Sequence, residues 1–92
     1  MKIIQSRLFE RKVKKLTKKQ KKILDKQVQQ IIKNISIGEE KRGDLKGVRV
    51  LKFKIGIIQY LLSYRVSGDT LEMIMLGPHE NYYRDLKKYL RS

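Results

Sequence analysis

The segment Gly77-Pro78-His79-Glu80-Asn81-Tyr82-Tyr83-Arg84 holds the only histidine of the chain. Histidine is the one ordinary side chain that gives or takes a proton near neutrality. Around it stand two tyrosines, whose rings can stack on nucleobases, and Arg84, a candidate phosphate ligand. A second pattern lies upstream, where Lys52 and Lys54 alternate with Leu51, Phe53 and Ile55. Residues two apart on a strand share a face, so both ammonium groups point the same way. Fixed cations on a sheet can hold a phosphate and offset charge that develops on its oxygens. Plainer roles suit the same residues: lysines that keep a sheet edge solvated, a histidine exposed at a helix start, and tyrosines that pack that helix on the sheet. Tyr82, Leu86 and Tyr89 share a helical face, which makes Tyr82 the core residue and leaves Tyr83 for substrate.

Composition narrows the chemistry further. The chain has 92 residues, 23 basic and 9 acidic, for a net charge of +14. That length suits one domain, residues 1–92. There is no cysteine, hence no disulfide and no thiolate metal site. With a single histidine, no metal and no cofactor is expected. Gly-rich phosphate loops, GxSxG and HExxH are all missing. No apolar run approaches the ~18 residues of a membrane span, and Met1 to Ser6 does not read as a secretory signal. A cytoplasmic protein with a polyanionic partner is the expectation. Most of the charge is at the front: residues 1–37 carry 12 basic and 2 acidic side chains.

The elements that must position these groups follow from period and punctuation. Lys2 to Gln5 is β-tolerant. Ser6 caps a helix whose face is Phe9, Val13 and Leu16. Thr17 and Gln20 form a capping box for a second helix with Leu24, Val28, Ile31 and Ile35 on one face. The short link predicts a helical hairpin. Ile37 to Asp44 reads as a polar loop. Strands are predicted over Val48 to Ile55, Ile57 to Val66 and Thr70 to Leu76, with a tight turn at Ser67-Gly68-Asp69. The alternation slips between Val50 and Leu51, which predicts a bulge or a strand buried on both faces. Glu80 to Leu90 is a short final helix. The fold class is therefore α+β: an N-terminal helical hairpin packed on a small antiparallel sheet, with a short C-terminal helix.

This layout resembles the RelE/ParE superfamily of bacterial type II toxins over essentially the whole chain. The residues that carry the resemblance are Leu45-Lys46-Gly47, the strand Val48 to Ile55, the strand Tyr60 to Val66, and Gly77-Pro78-His79 with Tyr83. The run Gly77 to Leu86 is similar to a ParE-like group that ends in Gly-x-His-Glu-Asn-aromatic-Tyr-Arg-Asp-Leu. One branch of the superfamily cuts mRNA on the ribosome; the other poisons DNA gyrase and cuts nothing. The Gly-x-His-x-x-x-aromatic spacing resembles the first. By that resemblance His79 is the acid/base residue and Tyr83 orients RNA. Lys52 and Lys54 correspond to phosphate-binding strand lysines, and Arg84 is a further phosphate contact. The resemblance implies a metal-independent endoribonuclease, an mRNA interferase, held in check by an acidic cognate antitoxin. The alternative is a gyrase inhibitor. Where ribonuclease members carry an arginine on the second long strand, alignment on Tyr64 places Leu61; Arg49, Arg65 or Arg84 is left to supply that charge.

Overall fold

The computed structural model describes residues 1–91. Nine segments follow in order: β1 (Lys2–Gln5), α1 (Arg7–Lys14), α2 (Lys18–Lys33), β2 (Glu39–Glu40), a 3-10 turn (Gly43–Leu45), β3 (Arg49–Ile55), β4 (Ile58–Ser67), β5 (Thr70–Pro78) and α3 (Tyr82–Arg91). The class is α+β. The strands form one sheet in the order β1-β5-β4-β3-β2. It is mixed rather than antiparallel, because β1 runs parallel to β5 while the other pairs are antiparallel. A parallel neighbour needs a long crossover, and here the whole chain between β1 and β5 supplies it.

The helix starts are built by the residues that the capping rules single out. The Phe9 N–H donates to Ser6 Oγ at 2.9 Å. Thr17 N–H donates to Gln20 Oε1 at 2.9 Å, and Gln20 N–H to Thr17 Oγ1 at 3.2 Å. The two helices do not form the expected hairpin with each other as chief partner. Strand β1 comes first, α1 packs on β5, and α2 packs on β3. The reason is area: the sheet offers a broad apolar face that one helix stripe cannot match.

Two cores lie on opposite faces of the sheet. One gathers Phe9, Leu24 and Ile31 of the helices over Phe53, Leu62, Tyr64 and Leu76. The other gathers Tyr82 and Leu86 of α3 over Val50, Leu61, Ile74 and Met75. Strand β3 serves both, with Val50 in the second core and Leu51 packed on the first. The slip at Val50-Leu51 is thus a strand covered on both faces, in unbroken register with β4. The bulge sits elsewhere. Ser63 pairs with Met75 and Tyr64 with Met73, so Ile74 is the extra residue and reverses the alternation of β5. Side chains take up carbonyls there: Ser6 Oγ donates to Ile74, and the Tyr82 hydroxyl donates to Met75 at 2.7 Å, beside Ser63 Oγ at 2.8 Å.

Burial pushes the Tyr82 hydroxyl well above the ordinary tyrosine range, and burial moves Tyr64 the same way. The unfolded chain releases these protons at about pH 10, and the folded chain holds them to higher pH. Stability from these groups is therefore complete below about pH 10 and is lost as pH rises beyond it. Urea unfolding at intervals from neutral to strongly alkaline pH should show a shallower alkaline decline for Tyr82→Phe than for the native chain.

Candidate functional site

The loop ahead of β2 is pinned from below. The Tyr64 hydroxyl accepts from Gly38 N–H at 2.8 Å and donates to the Ile35 carbonyl at 2.9 Å. A Cβ at position 38 would meet the Tyr64 ring at 2.8 Å, so only glycine fits. Arg49 donates to the Gly38 carbonyl at 2.9 Å. These bonds set β2 against β3, with Glu39 opposite Val50 and Glu40 opposite Arg49. The segment expected to be loop thus adds a strand, and it brings Lys41 to the α3 side of the sheet. Lys41 pairs with Glu39, and its ammonium lies 5.0 Å from the Tyr83 ring centre. The hydrogen bond from Lys41 holds the Glu39 carboxyl below its usual range; the same bond holds Lys41 above its own, against a smaller opposing effect of burial. Lys52 also draws Glu39 down.

His79 is held by its backbone. Its N–H donates to the Gln59 carbonyl at 3.0 Å, and its carbonyl accepts from Tyr82 N–H at 3.2 Å. Asn81 takes a left-handed conformation at φ 59°, which asparagine tolerates better than most residues. This turn delays α3 to Tyr82, two residues after the expected start. The imidazole is left exposed, edge-on to Tyr83 at 6.4 Å between ring centres.

The register aligns the remaining cations. Lys54 lies opposite Gln59, whose carbonyl holds His79; Lys52 lies opposite Leu61, which lies opposite Gly77. Both rows face α3, and two strand spacings separate β3 from β5, about 10 Å. Lys52, Lys54 and His79 are exposed on this open face, and Lys41 and Tyr83 border it.

Tyr83 and the three candidate arginines each have neighbours of their own. Tyr83 is half-buried, with Lys41 over its ring and Tyr82 at its edge, and its hydroxyl is buried without a hydrogen-bond partner. Its ring meets the His79 imidazole and the Lys41 ammonium. Arg84 lies on the outward side of α3, in a hollow with Lys87, Lys88 and Arg91, and pairs with Asp85 at 3.4 Å. Arg49 lies on the opposite face, bound to Gly38 and to Glu40. Arg65 is paired with Glu72 at 2.6 Å. Leu61 is fully buried beneath α3. Lys41 is the residue that periodicity missed; its signal is the Glu39/Lys41 alternation, legible only once β2 is known to pair with β3.

The model of the ParE-like toxin of type II bacterial toxin-antitoxin systems matches residues 3–87. The chain belongs to this toxin family. None of the curated proteins compared with it matches. Membership means that this toxin has a protein antitoxin as its partner. The match starts within β1 and ends within α3, so His79, Lys41, Lys52 and Lys54 lie inside the family domain. Among the described residues, no helix is long and apolar enough to cross a membrane.

Proposed function

We propose that this ParE-like toxin arrests translation as a metal-independent endoribonuclease acting on mRNA at the ribosome. The observation that carries the reading is the gathering of the sole imidazole with Lys41, Lys52 and Lys54 along one open sheet face. In the reaction the ribose 2′-oxygen attacks the adjacent phosphorus in line, and the bond from phosphorus to the 5′-oxygen breaks. The 2′-hydroxyl proton is removed and the departing 5′-oxygen gains one. His79 either takes the 2′-hydroxyl proton or gives one to the departing 5′-oxygen, and solvent water exchanges the other. The lysines offset charge on the phosphoryl oxygens. The products are a 2′,3′-cyclic phosphate and a 5′-hydroxyl end. Tyr83 and the Glu39–Lys41 pair hold the imidazole and one ammonium in place. The +14 surface suits an acidic antitoxin that screens this face.

Replacing Lys52 and Lys54 together by alanine should slow mRNA cleavage by about a hundredfold. Both side chains are exposed, so thermal stability should change little. Unaltered cleavage by the double variant would remove the lysines from the reaction.

A second reading has one specific observation in its favour. Leu61 buries an aliphatic side chain where ribonuclease members carry an arginine, and none of Arg49, Arg65 and Arg84 reaches the His79 face free of another partner. A toxin without that charge fits the gyrase-inhibitor branch. Pulse labelling after induction separates the two: loss of protein synthesis ahead of any DNA break supports the ribonuclease, and the reverse order supports the gyrase inhibitor.

A further inference from the structure

A hollow of about 300 Å³ lies on the other side of β5 from the imidazole, where the end of α1 and the start of α2 meet the sheet. Its cations are Lys12 and Lys15, and no carboxylate lines it. Tyr60 supplies an aromatic wall, stiffened by Phe53 at 6.1 Å between ring centres. Gln20 supplies an amide whose oxygen already accepts from Thr17, which leaves its NH₂ as the available donor. Gly77 and Pro78 close the hollow, and His79 follows them directly in the chain.

We propose that this hollow is a nucleotide subsite, taking the base and phosphate of a residue next to the scissile linkage. The proposal rests on the ribonuclease reading and extends it to the path of the RNA. A nucleobase needs an aromatic or apolar wall and a few polar donors; a phosphate needs cations. The hollow offers both, in a volume suited to one nucleotide. Continuity with the reacting centre comes from Gly77. Strand β1 pairs with β5 only as far as Met73, so no strand lies along this edge of β5 at Gly77. Gly77 lies buried beneath Tyr82, and His79 stands two residues further along, about 7 Å of extended chain. An RNA strand can cross this edge from the hollow to the imidazole within one nucleotide step.

The test is a titration of the ¹⁵N-labelled full chain with a short 2′-O-methyl oligoribonucleotide, which binds but has no 2′-hydroxyl to react. The amides of Gln20, Tyr60 and Gly77 should shift and saturate together. Lys12→Ser/Lys15→Ser and Tyr60→Leu should each weaken binding about tenfold, and Tyr60→Leu keeps an apolar side chain on the core. Shifts confined to the His79 face would overturn the subsite. So would equal shifts with inorganic phosphate alone, which mean an anion site without base recognition. Shifts produced by an acidic peptide and not by the oligonucleotide would give the hollow to a protein partner instead. The His79→Ala protein separates this inference from the one beneath it. Retained binding with lost cleavage supports both, and retained toxicity defeats the nuclease whatever the hollow binds.

Discussion

His79→Ala should abolish growth arrest and leave the fold intact. General acid–base catalysis contributes about 10²- to 10⁴-fold, and His79 is the one imidazole of the chain. The substitution leaves the architecture alone because the fold uses the backbone of His79, through Gln59 and Tyr82, and not its ring. The ring touches Tyr83 edge-on and is otherwise exposed. The variant should express to high level, melt within a few degrees of the native chain and still bind the antitoxin. A fully toxic variant would show that the histidine is a surface residue of a binding protein. A variant that fails to fold would leave His79→Gln, which keeps a polar planar side chain, to make the same comparison.

Leu61→Arg should have the largest effect on stability. The side chain is fully buried beneath Tyr82 and Leu86, in the core that holds α3 to the sheet. No carboxylate belongs to that core. An unpaired guanidinium there costs at least about 3 kcal/mol, against less than about 1.5 kcal/mol for Leu61→Met. The arginine variant should lose amide protection in α3 first and gain no cleavage activity. If it folded normally and cut RNA faster, the position would be an open catalytic site and the packing described here would be wrong.

These two residues show what the amino-acid order discloses and what it hides. The helix starts at Ser6 and Thr17 are legible because capping is local: donor and acceptor lie three residues apart. The alternation of Lys52 and Lys54 is legible for the same reason. The strand at Glu39–Glu40 is not, because two acidic residues carry no apolar period and their pairing depends on anchors at Tyr64 and Arg49, far along the chain. Lys41 is hidden with it. The slip at Val50-Leu51 reads equally as a bulge or as a doubly covered strand, which look alike in one dimension; the structure has the second there and a bulge at Ile74 that no local pattern announces. The direction of β1 and the burial of Leu61 also rest on contacts between distant segments.

The cationic face also bears on how the antitoxin acts. Lysines at 41, 52 and 54 and the charge-rich helices give a polyanion many places to land, and salt should weaken all of them together. On the proposed reading, specific chemistry depends instead on one imidazole and the few ammonium groups that share its face.

Adding the purified toxin to a cell-free translation reaction and mapping the ends of the mRNA tests the central claim most directly. The account predicts cut messages with 2′,3′-cyclic phosphate and 5′-hydroxyl ends, and whole messages with the His79→Ala protein. Messages that stay whole at concentrations where the toxin still arrests cells would contradict it.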